Sequence, residues 1–185
     1  MVMELEIRIL GGNKMLDLLK QRRSIRKYQV HSIEEDKIES LKKALLLAPS
    51  SRNLKHLQFM FIDNKELLEK ISNCKPGALF LKNSALGIVV IGDESISDTW
   101  IEDASIASII VQLEAEALGL GSCWIQIRNR KHNDDKTAED YVRELLNIKE
   151  NYRIESIISI GYKGETNDPY SEDNLDFSRI HVNKF

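Results

Sequence analysis

Residues Ala85–Ile91 read Ala-Leu-Gly-Ile-Val-Val-Ile, an apolar run with no polar interruption. A half-exposed strand alternates apolar and polar side chains, so an unbroken run of this length reads as a strand buried on both faces. Such a strand needs cover on two sides, and helical periodicity in the neighbouring segments supplies it. Met15, Leu18 and Leu19 open a first short helix. Ser32 followed by Glu35 reads as a capping box for a helix with Ile38, Leu41, Leu45 and Ala48 on one face, stopped by Pro49. Leu57–Ile62 is a second short buried strand, and Asp63 or Asn64 caps a helix carrying Leu67, Leu68 and Ile71.

The longest helix spans Trp100–Leu118, with Ile106, Ile109, Ile110, Leu113 and Ala117 as a wide stripe and Gly119 placed as its C′ residue. Ser122–Ile127 returns as a strand, Thr137–Asn147 as a helix and Ile154–Ile160 as a final apolar strand. Gly164–Phe185 is a polar tail punctuated by Tyr170, Leu175, Phe177, Ile180 and Phe185, which want apolar cover. The fold class is α+β. One domain covers 14–185, preceded by Met1–Asn13 as a short strand or a frayed extension.

At 185 residues the chain buries roughly 70% of its unfolded surface, enough for one sizeable core. Its 26 basic and 29 acidic side chains leave a net charge of −3, which argues against broad binding to nucleic acid or anionic membranes. The two cysteines, Cys74 and Cys123, match no metal or redox spacing. A reducing cytoplasm is the compartment expected, with no secretory signal at the N-terminus.

Three segments are able to carry chemistry. In Arg22-Arg23-Ser24-Ile25-Arg26-Lys27, an extended backbone aims Arg22, Ser24 and Arg26 at one side, a set of donors suited to a terminal phosphate. A solvated basic face is the alternative. Ala48-Pro49-Ser50-Ser51-Arg52-Asn53 follows a helix end and offers short donors and acceptors close to the backbone, as would an ordinary turn. Gly119-Leu120-Gly121-Ser122-Cys123-Trp124 has a G-x-G in the wrong order for a dinucleotide fold, since a helix precedes it and a strand follows. Its glycines either let backbone N–H groups approach a flat ligand bounded by Trp124, or cap a helix before a core Trp. The four histidines show no metal-ligand spacing, and Cys123 reads as a packed, inert thiol. The carboxylates Glu102, Asp103, Glu114 and Glu116 read as a solvated or intersubunit helix face.

Taken in order, Arg-Arg-Ser-x-Arg, Ala-Pro-Ser-Ser-x-Asn and Ala-Leu-Gly-Leu-Gly-Ser-Cys-Trp-Ile resemble the nitroreductase family of flavoproteins, from about Met15 to the C-terminus. Ile160–Tyr162 and the ending Ser178–Phe185 join the likeness. The resemblance implies a mainly antiparallel sheet surrounded by helices in an intertwined homodimer, with FMN between subunits. It implies that Arg22, Arg23, Ser24 and Arg26 receive the FMN phosphate and ribityl chain. Pro49, Ser50, Ser51 and Asn53 come from the other subunit to the same flavin. Trp124, Ile125 and Gln126 run along the isoalloxazine with a backbone N–H near N5. Lys163, Arg179 and Lys184 compete to close the phosphate site, with Arg179 or Lys184 preferred. No general acid, base or metal is named.

One segment departs from the family pattern. Relatives often carry Gln-Pro-Trp or Gln-Pro-Phe after the loop asparagine, and this chain has Lys55-His56-Leu57. The activity implied is hydride transfer from NAD(P)H through FMN to nitroaromatics, quinones or similar acceptors by a ping-pong mechanism. A dehalogenating or flavin-fragmenting enzyme on the same fold, and a non-catalytic flavin-binding, storage or regulatory protein, are the other readings. A nucleic-acid module built on the basic cluster has least support.

Overall fold

The computed structural model describes residues 14–185, and the extension Met1–Asn13 lies outside them. Four antiparallel strands, β1 (Gln58–Ile62), β2 (Leu86–Asp93), β3 (Leu120–Gln126) and β4 (Tyr152–Tyr162), pair in the order β1-β2-β4-β3. All of β2 is buried, as its unbroken apolar run requires. The expected buried strand at Leu57–Ile62 is instead β1, a sheet edge paired only with β2, with Ile62 its one buried residue.

Helices cover both faces. On one, α3 (Lys65–Ser72) and α5 (Ala138–Leu146) bring Leu68, Ile71 and Val142 onto Ile125, Ile154 and Ile157. On the other, α2 (Glu35–Leu47) and α4 (Trp100–Ala117) bring Leu41, Leu45, Ala107 and Val111 onto Ile88, Val90, Ile158 and Ile160. Ile154 and Ile157 share a face despite odd spacing. The register of β4 slips at Glu155, where Val90 pairs with Ser156 and Ile91 with Ile154. A short helix α1 (Lys14–Gln21) lies against α4.

The helix ends follow local chemistry. The Asn64 side chain accepts the Leu67 N–H at 2.9 Å, and Thr137 Oγ1 accepts that of Asp140 at 3.0 Å. Gly119 takes φ +76° directly after α4, which glycine adopts without strain. Ser32 caps nothing: α2 starts at Glu35 with Glu34 as N-cap and no side-chain cap bond. The Glu34 carboxylate is taken by Tyr162 Oη at 2.5 Å and Lys37 Nζ at 3.4 Å, which hold its pKa down at about 2.

α4 corrects the expected burial. Its covered face is made of Ala104, Ala107, Ser108, Val111 and Ala115. The stripe expected to face the core points outward, with Ile106 40% and Ile109 37% exposed. Small side chains allow the helix to sit close on a sheet of Ile and Val. A helix that is apolar all round leaves a second apolar face over.

Candidate functional site

Segment 22–28 crosses the end of the sheet as an extended strap. Ser24 forms a bridge with Ser122, and the Ile25 N–H donates to the Ser122 carbonyl at 2.9 Å. Gly121 makes this approach possible, because a Cβ there would meet the Ile25 side chain at 2.9 Å. In the G-x-G segment, Gly119 serves the helix terminus and Gly121 the seat of Ile25.

Alternation along the strap brings Arg22, Ser24 and Arg26 together. The Cys123 thiol lies within electrostatic reach of Arg26, Arg22 and Lys75, although burial dominates and pushes its pKa up. Cys123 is 1% exposed, packed as its setting suggested. Lys75 was not among the expected residues. It sits in the turn after α3, and only the fold carries it here. Neither Arg22 nor Arg26 forms a salt bridge among the described residues. Arg26 lies 5.8 Å from the Phe80 ring centroid, and the Glu165 carboxylate braces the strap by accepting the Arg26 and Lys27 N–H groups.

Arg23 points elsewhere. Its guanidinium donates to the Asp168 carbonyl and lies over the Tyr170 ring at 4.5 Å, so it fastens the tail. Lys163 is paired with Glu116 at 2.6 Å. Arg179 and Lys184 stand on the exposed tail and are not drawn into the cluster.

β3 is the outer strand of the sheet beside this cluster. Ile127 N donates to the Glu155 carbonyl, so the period-two alternation turns the polar backbone of Ile125 toward β4 and that of Trp124 and Gln126 off the edge. The Ile125 side chain is a core residue, while Trp124 and Gln126 stay half-buried. Trp124 Nε1 donates to Gln126 Oε1 at 2.9 Å, and Gln126 Nε2 donates to Glu155 Oε1 at 3.0 Å.

The Pro49–Asn53 loop belongs to the other face. Ser51 N–H points between both carboxylate oxygens of Asp103, 3.0 Å from each, and Asp103 stands in the first turn of α4. By strand alternation Cys123 shares the face of Ile125, whereas α4 covers the opposite one. The serine loop is thus tied to the face of the sheet opposite Cys123 and Ile125. The acidic residues read as one surface face divide: Asp103 is buried under the loop, Glu114 accepts from Ser40 at 2.5 Å and Glu116 pairs with Lys163.

The sequence profile of the nitroreductase family matches residues 19–75 and 74–162. The chain belongs to the nitroreductase family. Among other members, an FMN-dependent nitroreductase from Clostridium difficile R20291 superposes with a TM-score of 0.91 at 48% identity, covering 92% of this chain and 100% of that one. A protein of Archaeoglobus fulgidus, provisionally named NADH dehydrogenase/NAD(P)H nitroreductase, is 34% identical over 175 residues, 92% of this chain and 98% of its own. A family member from Methanothermobacter thermautotrophicus with the same provisional name is 34% identical over 174 residues, 92% of this chain and 87% of its own. The nitroreductase fold is accordingly the α+β arrangement described above. No helix among the described residues is long and apolar enough to cross a membrane.

Proposed function

We propose that this chain is an FMN-dependent NAD(P)H oxidoreductase that works as a homodimer, reducing nitroaromatics, quinones or similar acceptors in turn with the nicotinamide. The observation that carries the reading is the extended strap that sets Arg22, Ser24 and Arg26 beside the outer edge of β3, where Ser24 bridges Ser122, with both arginines and Lys75 within electrostatic reach of Cys123 and neither arginine in a salt bridge among the described residues. Two guanidinium groups, an ammonium and a hydroxyl fit a phosphate monoester. The open edge of β3 beside them fits the polar rim of a planar heterocycle, with the outward N–H groups of Trp124 and Gln126 as donors. Bound FMN supplies hydride transfer between the nicotinamide and the acceptor.

The chain's own residues bind, orient and shield. Arg22, Arg26 and Ser24 hold the phosphate end. Trp124 and Gln126 border the ring, and their N–H groups favour negative charge on the atoms they meet. Pro49, Ser50, Ser51 and Asn53 reach the flavin of the neighbouring copy. Arg179 and Lys184 are carried on the exposed end of the tail, beyond its anchorage at Asp168–Glu172, and reach toward a partner. The exposed apolar residues Met15 and Leu19 of α1 and Ile106 and Ile109 of α4, on adjacent helices, are the surface that the second copy covers.

One flavin face serving donor and acceptor in turn gives ping-pong kinetics. The test is the visible spectrum of the protein loaded with FMN, recorded anaerobically before and after NADH or NADPH. The flavin band bleaches on adding the nicotinamide and returns with a quinone. A protein that takes up no FMN overturns the reading, and one whose bound FMN keeps its colour with both nicotinamides is not the oxidoreductase proposed.

A further inference from the structure

Lys55-His56-Leu57, where relatives often have Gln-Pro-aromatic, is more than a change of outline. His56 is 3% exposed, and its Nε2 lies 2.9 Å from Asp103 Oδ2. A carboxylate oxygen accepts, so the ring carries its hydrogen on Nε2. Asp103 is 4% exposed, and its oxygens also receive the Ser51 N–H, at 3.0 Å each. The loop held this way is costly in itself: Arg52, Asn53 and Lys55 take φ of 51°, 56° and 49°, left-handed values at residues that are not glycine. Conformations of that kind persist only where the surroundings over-determine them. The Lys55 N–H adds a bond to Ser50 Oγ at 2.9 Å, which closes the loop on itself.

We infer that His56 is a positioning residue which, through Asp103, fixes the backbone of Ser50–Asn53 in the shape presented to the neighbouring flavin ring. The inference rests on the flavin reading above. A histidine at this place does what a rigid proline cannot, because it supplies an N–H to a buried carboxylate. Among the described residues, that carboxylate would otherwise have the Ser51 amide alone. The strut runs from the segment just before β1 through the first turn of α4 to the loop.

The experiment measures dissociation constants for FMN and for riboflavin with wild type, His56→Gln, His56→Leu, Asp103→Asn and the double variant His56→Leu/Asp103→Asn. A thermal melt of each protein accompanies the binding. On the reading that the loop meets the ring and not the phosphate, His56→Leu weakens both ligands by the same factor, about tenfold for one lost charge-assisted bond. His56→Gln keeps an N–H within reach of Asp103 and stays within about threefold of wild type. The double variant is no weaker than Asp103→Asn alone, since the two residues act in series. Flavin binding by His56→Leu equal to wild type overturns the inference. So does a glutamine variant as weak as the leucine one, or additive losses in the double variant. If His56→Leu does not fold, Asp103→Asn carries the test: it must lower both affinities by one factor, and unchanged affinities overturn the strut. A wild-type protein that binds neither ligand refutes the flavin reading itself, a result distinct from any of these.

Discussion

Trp124 and Gln126 hold each other two residues apart on one face of an edge strand, indole Nε1 to carboxamide Oε1 at 2.9 Å. The amide has one orientation available. Its nitrogen is surrounded by acceptors, the Arg128 carbonyl, the Glu155 carbonyl and Glu155 Oε1, so its oxygen must face the indole. Glu155 already has a buried Oε2 with no partner. Gln126→Leu would orphan Oε1 as well and free the indole N–H. The expected loss is about 1–3 kcal/mol of stability, read as a lower urea midpoint with an unchanged slope. An unaltered midpoint would show that Gln126 does not satisfy these groups.

Arg22→Ala and Arg26→Ala should each weaken FMN about tenfold or more while leaving riboflavin nearly untouched, because a charge-assisted contact to phosphate is what each removes. Arg23→Ala should not alter the ratio of the two affinities, since Arg23 is engaged with Asp168 and Tyr170 of the tail. Calorimetric titration with both ligands checks this. Equal losses of FMN and riboflavin in the Arg22 variant would mean that it acts through folding.

Ile109 belongs to the outward stripe of α4, where a glutamate would be solvated in a lone chain and buried in a pair. Ile109→Glu should therefore yield monomers that retain helix content but lose FMN. Truncation after Gly164 should weaken the pair less, since it leaves α4 intact. Light scattering with flavin absorbance on the same sample decides both. A flavin-loaded dimer of Ile109→Glu would remove this helix from the interface.

Tyr28 gives the protein an alkaline limit. Burial is the chief cause that lifts its hydroxyl above the ordinary 10.0, with the Ser159 hydrogen bond partly opposing it. A raised pKa in the folded state protects the neutral form, so this stability is fully present below pH 10 and falls as pH rises above it. Tyr28→Phe loses the hydroxyl's bonds to the Ile25 carbonyl and Ser159 Oγ, both 2.7 Å. It should be less stable at pH 7 by about 1–2 kcal/mol yet show a shallower fall beyond pH 10. Urea unfolding of both proteins from pH 7 to 11 tests the sign, and parallel curves would exclude Tyr28 as the cause.

What could be read before folding was whatever depends on near neighbours in the chain. The apolar run became β2, Asn64 became a cap, and the helix expected over Thr137–Asn147 formed between those two residues. What could not be read depends on which surface meets which. α4 offers two apolar faces, and only contact with the sheet selects the Ala and Ser one. Arg23 looks like its neighbours until the tail arrives at Asp168 and Tyr170. Asp103 sits beside Glu102 in an acidic first turn, and nothing local distinguishes the residue that will be buried under a loop 52 positions earlier.

The sharing proposed for each flavin, between the Arg22 cluster of one copy and the Ser51 loop of the other, has a genetic consequence. In a pair of chains, damage to the arginine cluster of one copy and damage to the serine loop of the other fall on the same flavin. The remaining flavin then sees two undamaged halves. Two alleles that are each inactive alone would complement when expressed together, and mixed pairs would carry one working site where either parent carries none.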